Sequence, residues 1–388
     1  MYIWLIKETT KEMKVFKVTL EPKDWFFFGG SSTFDNGTKT SYIAHSLLFP
    51  QQTALLGMIR YQLLKQSNLL FGHGGKPNDD QVIKLIGEKS FNMEDNLQKT
   101  FGDILELSPV FLEEFEDGDN KRVIRELFPL ALTNSYNLSF DKNVRVFMTD
   151  REKNMLIDDH ESFNAKEYGN YIKYGDKDCQ TLSTYDIFET RMQVGITKNT
   201  DYIPEEGEKE QNFYKHEMVR FRKNKKRSTS FRYAFYVKLK SQDIKKDFVF
   251  LGAERSCFDM VVNEVIGETD LKRIYLESHP SMREQGRIEL LSPTYVEDFD
   301  ELEKLCNFQW SYTTSFRNIT FNKEGKGKLN SGNVSYNRGE TCYNMLCAGS
   351  VLFFDETNRN EVERLLSNEH LQSIGYNYYD SMNNNKTK

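Results

Sequence analysis

The sequence predicts an α+β fold rich in sheet, and three observations carry that expectation. Aromatic residues make up 13% of the chain, with 29 Phe and 20 Tyr, whereas hydrophobic residues as a whole reach only 38%. Rings suit pleated surfaces and offset the shortage of aliphatic side chains. The stretch Leu20–Gln66 reads as a strand, a long polar loop and a helix. Finally, 388 residues exceed one ordinary hydrophobic core, so two domains, or one domain with a large insertion, are expected.

In chain order, residues 1–7 and 14–20 read as strands around the polar ETTKEM turn, and Trp25-Phe26-Phe27-Phe28 continues into the Gly29-Gly30 turn. A helix is expected from Pro50 to Gln66, because proline suits a first helical position. Leu55, Met58, Ile59, Gln62 and Leu63 recur at helical spacing, with Gly57 permitting close backbone approach. A short helix at 79–87, a strand near Leu105–Val110, a surface turn over the acidic run 113–119 and a core-like run at 122–133 follow. Residues 134–185 show no clear period and read as an insertion. Phe188–Ile196 is compact again. Next, FYKHEMVRF and FRYAFYVKL flank a basic tip and read as a hairpin at 212–240. FVFLGAERS (248–256), 271–277 and 287–291 are strand candidates, 299–306 a short helix and 316–337 a flexible loop. A buried strand in CYNMLCAGSVLFFDE, an amphipathic helix at 361–366 and IGYNYY near the end complete the chain.

The formal charge of −6 argues against a protein that coats nucleic acid over its whole surface, but a local basic site depends on where the cations cluster. Five cysteines, an odd number without a C-x-x-C pair, argue against a disulfide framework. The N-terminus becomes charged after six residues, too soon for a signal peptide, and no run approaches the ~18 apolar residues of a membrane span. A cytoplasmic protein without membrane contact is expected.

Six scattered histidines show no metal-ligand spacing, so no metal or cofactor is expected. GHGGKPND lacks phosphate-loop spacing, and no dinucleotide fingerprint follows a strand. The loop after Gly29-Gly30 carries Ser31, Ser32, Lys39 and His45 among many hydrogen-bonding groups, with Asp35 and Lys39 cancelling in charge. His45 has two readings: a hydrogen-bonded loop residue, or a general acid or base for RNA cleavage. The run EEFEDGD reads as solvated surface. The strongest signal is RFRKNKKRSTSFR, where Arg220, Arg222, Lys223, Lys225, Lys226, Arg227 and Arg232 alternate with Phe221 and Phe231. Cations pair with phosphates and rings stack on bases. A solvated loop is the competing reading.

LEPKDWFFFGG, LLFPQQTALLGMIRYQL, RMQVGI, FLGAERS, AGSVLFF and IGYNYY occur in an order that resembles the third subunit of Cmr complexes, the type III-B CRISPR effectors. Pro50, Gly57 and Arg60 are the most specific part of the match. The resemblance, to RAMP-superfamily members that hold the 5′ tag of CRISPR RNA, implies two ferredoxin-like (RRM-like) halves with antiparallel sheets. We set these at 1–200, with an insertion around 67–185, and 201–388. By matching position it implies that Gly29, Gly30, Ser31, Arg60, Arg191, Gln193, Gly252, Glu254, Arg255, Gly349 and Ser350 bind or shape the tag site. Where the family carries Arg-Asp-Gly this chain has Phe28-Gly29-Gly30, which shifts holding from side chains to backbone.

The expected protein is therefore a non-catalytic RNA-binding subunit. Its implied partners are CRISPR RNA, the large polymerase-like subunit and the backbone RAMP subunits, with target RNA contacted indirectly. Two other classes stand beside it: a metal-independent RNA-processing endonuclease using His45, and a scaffold whose basic tip binds an acidic protein.

Overall fold

The computed structural model describes residues 13–30, 43–70, 79–87, 91–94, 101–117, 122–129, 138–141, 146–149, 155–156, 171–173, 181–196, 213–223, 229–253, 256–279, 285–321, 336–338 and 341–380. Its first half contains β1 (Lys14–Pro22), β2 (Phe28–Gly29), β3 (Ile43–Ala44), β4 (Ser46–Leu47), α1 (Gln52–Gln66), α2 (Asp79–Ile86), β5 (Ile104–Leu107), β6 (Phe111–Asp117) and β7 (Arg122–Pro129). Short strands β8 (Leu138–Asp141), β9 (Val146–Thr149), β10 (Met155–Leu156), β11 (Tyr171–Lys173) and β12 (Thr181–Leu182) precede α3 (Thr184–Ile187). Long strands follow: β13 (Phe188–Ile196), β14 (Phe213–Phe221), β15 (Thr229–Leu239), β16 (Asp247–Phe250) and β17 (Cys257–Val265). The remainder is α4 (Leu271–Ser278), β18 (Arg287–Glu289), α5 (Phe299–Leu305), β19 (Cys306–Trp310), β20 (Thr313–Phe316), β21 (Ile319–Phe321), β22 (Tyr336–Arg338), β23 (Tyr343–Leu346), β24 (Val351–Phe354), α6 (Arg359–Leu366) and α7 (Glu369–Gln372).

The larger sheet runs β12-β11-β7-β6-β15-β1-β17-β16, with β5 also on β15. Around β1 the order β6-β15-β1-β17 is the 2-3-1-4 order of a ferredoxin-like unit, with α1 in the first crossover. Edge strand β16 stands where that unit's second helix would be. The smaller unit repeats the plan. Its sheet is β18-β24-β19, and Tyr379 bridges Leu290 beyond β18. Leu291 N–H donates to Tyr378 O at 2.8 Å and Asp380 N–H to Glu289 O at 3.0 Å. With α5 and α6 as crossovers this is a β-α-β-β-α-β unit. Among the described pairings only β3 with β14 is parallel, so the chain is an α+β protein built mostly of antiparallel sheet.

Packing follows the alternation of β1. Phe16, Val18 and Leu20 join the core with Leu55, Ile59 and Leu63 of α1, while Val15, on the other face, packs with Leu271 and Tyr275 of α4, Phe111, Phe128 and Tyr236. Rings supply much of the core volume: Phe26 lies 4.9 Å from Phe28, and Phe221 4.9 Å from Tyr233. No helix among the described residues is long and apolar enough to cross a membrane.

Several expectations change. A division at residue 200 falls inside the larger sheet, because β1 pairs with β15 and β17 from beyond that point. The predicted face of α1 is buried as expected, but the helix begins at Gln52 after an extended Gln51. Gly57 is exposed, and a Cβ there would meet nothing within 4 Å. The two runs of the expected basic hairpin do form strands, yet β14 pairs with β13 while β15 pairs with β1, β5 and β6. Leu271–Glu277 is helix, not strand: Asp270 caps it by accepting Arg273 N–H at 3.1 Å, and Arg273 pairs with Glu277 one turn on. The acidic run after Phe111 is strand β6, with Glu113 and Glu114 buried. Burial is tolerated because Glu113 is compensated by Lys17 at 2.6 Å and Arg232 at 2.5 Å. Strand β17 went unpredicted. The expected strand at 1–7 and most of the loop at 316–337 lie outside the described residues.

Candidate functional site

The β13–β14 ribbon carries the site. Its register sets Glu189 opposite Arg220, Arg191 opposite Met218 and Gln193 opposite His216. Directly paired residues of an antiparallel ladder share a face, so these six side chains lie together. The segment 25–29 crosses the ribbon next to Val219: Phe26 N–H donates to Val219 O at 2.7 Å and Val219 N–H to Phe26 O at 2.9 Å. Phe26 goes to the core, and its neighbours Trp25 and Phe27 meet the polar face. The guanidinium carbons of Arg191 and Arg220 each stand 4.4 Å from the Trp25 ring. Arg220 donates through one edge to both carboxylate oxygens of Glu189, from Nη2 at 2.9 Å and from Nε at 3.2 Å, and that contact holds the Glu189 carboxyl below the usual range. Among the described residues no ion pair or hydrogen bond holds Arg191, which is exposed. Phe27 contacts the buried His216 ring edge-on at 5.8 Å.

Both ends of the polar loop are tied to this ribbon. Phe28–Gly29 pairs with Ser46–Leu47, and Ile43–Ala44 runs along Lys215–His216. Ser46 Oγ accepts Phe28 N–H at 2.9 Å. His45 is exposed on the return and donates from Nδ1 to Glu217 Oε2 at 2.8 Å. The turn after β16 clasps Phe27: Ala253 N–H donates to Phe27 O at 2.9 Å, and Ser256 Oγ accepts Phe27 N–H at 3.0 Å. Gly252 makes that clasp fit. Its φ is +87°, and a Cβ would lie 2.3 Å from Phe27 O.

The family described as CRISPR-associated protein (Cas_Cmr3) matches residues 18–379, from β1 to the last strand-like segment of the smaller unit. The chain belongs to the Cas_Cmr3 family. Among solved structures it is similar to a chain of the "Cryo-EM structure of the Type III-B Cmr-beta bound to cognate target RNA", at 15% identity and a TM-score of 0.47, covering 94% of this chain and 96% of that one. No curated protein sequence matches it.

In this Cas_Cmr3 chain the expected site residues divide into three sets. Gly29, Gly30, His45, Arg191, Gln193, Arg220 and Gly252 gather around the ribbon, with exposed Arg222 and Lys223 at the end of β14. Arg60 is elsewhere: its Nε donates to Ile86 O at 2.8 Å, closing α1 on α2, with its guanidinium 5.4 Å from the Phe101 ring. Burial lowers its pKa to about 10. Arg232 is buried against Glu113. Gly349 and Ser350 form the buried turn before β24, where Gly349 N–H donates to Leu290 O at 2.7 Å. Neighbouring Ala348 lines a cleft of about 310 Å³ between the units, whose opposite wall includes Phe49 and Gln52. Ser31, Ser32, Lys39, Lys225, Lys226, Arg227, Glu254 and Arg255 lie outside the described residues. Among the described residues no group of three or more His, Cys, Asp or Glu is placed to hold a metal ion.

Residue-by-residue reasoning missed Trp25 and Glu189. One signal was available: Trp25 is one of only three tryptophans and stands directly before the Phe run.

Proposed function

We propose that this Cas_Cmr3 chain is a non-catalytic RNA-binding subunit that grips the 5′ tag of CRISPR RNA. The observation that carries the reading is Trp25 against two exposed guanidiniums. Stacking on an indole holds an Arg plane without consuming its N–H edge, so Arg191 can take a phosphate in bidentate geometry, whereas the Nε/Nη2 edge of Arg220 is held by Glu189, and a phosphate there would meet its remaining N–H groups or displace that carboxylate. Gly29 and Gly30 bring backbone close beside it, so phosphates are taken by Arg edges and N–H groups while splayed bases lie on ring or guanidinium planes. Membership in the family supports the assembly partners: the large polymerase-like subunit and the backbone RAMP subunits, with target RNA reached through them. The function is positional, and no bond is made or broken on this chain.

The test is retention of a labelled RNA carrying the 5′ repeat-derived segment of the host's CRISPR RNA. Arg191→Ala with Arg220→Ala is expected to weaken it at least about tenfold. Reversing the charges of Arg220, Arg222, Lys223, Lys225, Lys226 and Arg227 is expected to weaken RNA retention or assembly further. Unchanged retention and assembly in both variants would sink the reading.

The His45–Glu217 pair favours a second reading, since a carboxylate can orient an imidazole for general acid–base work. Metal-free cleavage of a precursor repeat RNA, abolished by His45→Ala, would establish the endonuclease. Intact RNA leaves His45 as an anchor of the loop's return.

A further inference from the structure

Strand β16 ends the larger sheet on one side, and its side chains divide sharply between the two faces. Val249 packs inward with Phe258 and Met260 of β17, and Asp247 pairs with Lys65 of α1 at 2.6 Å. Phe248 and Phe250 point to the opposite face and are 60% and 68% exposed. Exposed Val261 lies on the same face, since Val261 alternates with Asp259, the partner of Phe248. Helix α4 packs on this face against Val15, Phe111, Phe128 and Tyr236, and Phe248, Phe250 and Val261 stay exposed. Two Phe rings at i and i+2 stand about 7 Å apart along a strand.

Cations frame the rings. Lys23 Nζ lies 5.2 Å from the Phe248 centroid, and its charge and that of Asp259 cancel in an ion pair, so the net positive charge beside the rings comes from the lysines before the strand. Lys245 and Lys246 are exposed immediately before the strand. The run Lys246-Asp247-Phe248-Val249-Phe250-Leu251 also repeats the spacing by which RRM sheets present RNA-stacking rings: a cation first, aromatics third and fifth, an apolar residue sixth. It departs at Asp247 and Val249, which replace small residues, and at Ala253, which replaces the final aromatic.

We propose that Phe248 and Phe250, with Lys23, Lys245 and Lys246, form a second single-stranded RNA platform on the open face of the larger sheet. It is separate from the Trp25 ribbon and recognises stacked bases without sequence preference. Strand β16 runs into the Gly252 clasp on Phe27, so one short backbone segment joins the platform to the ribbon. An apolar protein partner would need neither the lysine frame nor the aromatic spacing.

The test measures binding of full-length protein to a fluorescein-labelled ten-nucleotide oligouridylate. Phe248→Leu with Phe250→Leu keeps apolar area but removes stacking. This variant is expected to weaken binding at least about tenfold, while Phe→Tyr at both positions restores it. The loss should also appear in an Arg191→Ala/Arg220→Ala background, which separates the two sites. Photocrosslinking of oligouridylate to the wild-type chain is expected to label the peptide containing Phe248 and Phe250, a readout that requires no variant to fold. Unchanged affinity in the Leu variant, or crosslinks confined to other peptides, would overturn the proposal. So would loss of a protein partner in that variant with RNA affinity intact.

Discussion

Gly252 lies directly against the carbonyl of Phe27, where even a methyl group would come to 2.3 Å of the oxygen. Its φ of +87° adds a second obstacle for any other residue. Gly252→Ala is expected to cost about 1–3 kcal/mol and to lower RNA retention, because Phe27 is the neighbour of Trp25. Gly57 is the contrast: nothing surrounds it, so Gly57→Ala should stabilise α1 by about 0.5–1 kcal/mol. Denaturant midpoints of the two variants check both signs. A Gly252→Ala chain as stable as wild type would contradict the clasp.

Glu113 is the acceptor shared by Lys17 and Arg232 inside the larger sheet. Glu113→Ala takes the carboxylate from Arg232, whose side chain is mostly withdrawn from water, while Lys17 keeps Glu126 at 2.5 Å. A loss of about 3–5 kcal/mol is expected, measurable by urea unfolding. A loss under about 1 kcal/mol would mean that solvent reaches the network.

Arg60 and Arg191 are predicted to behave oppositely, although the sequence places both in the candidate site. Arg60→Ala removes a hydrogen bond to Ile86 O and the packing of the guanidinium on Phe101, so stability should fall by about 1–2 kcal/mol with RNA affinity unchanged. Arg191→Ala should leave the melting temperature in place. It should also reduce the salt dependence of RNA binding by about 0.7 in the log–log slope, the value for one phosphate no longer neutralised. Salt titrations alongside thermal melts separate the two roles.

The smaller unit carries a pH dependence. Burial raises the Glu289 carboxyl to about 7 against the opposing pull of Arg287. Burial, and then the Glu289 charge, hold Asp380 well above its ordinary value. Both folded pKa values exceed the unfolded ones, so this stability is full below roughly pH 4 and is lost as pH rises, for Glu289 through about 7. The melting temperature should therefore drop between about pH 5 and pH 8. Asp380→Asn retains an acceptor for Glu289 N–H, which Asp380 Oδ1 receives at 2.6 Å, and should flatten the drop. An Asp380→Asn profile parallel to wild type would refute the coupling.

Much of this architecture can be read in the chain. The buried face of α1 and the mixed α+β character follow from local periodicity and composition. Leu55, Ile59 and Leu63 must share a helical face whatever lies beyond it. The resemblance to Cmr third subunits likewise rested on runs of residues that are contiguous in sequence.

What only the tertiary structure decided was pairing and charge compensation. FYKHEMVRF and FRYAFYVKL are neighbours in sequence and both are strands, yet alternation records only which side chains share a face, not which edge meets which. They therefore entered different sheets. Glu113 reads as surface because its compensating cations, Lys17 and Arg232, are remote in the chain. Trp25 likewise gains its meaning from Arg191 and Arg220, more than 160 residues away in sequence. A local pattern encodes the preference of each segment for helix, strand or burial. Contacts between distant segments depend on the closed chain, where desolvation makes an uncompensated charge costly and selects the partners that meet.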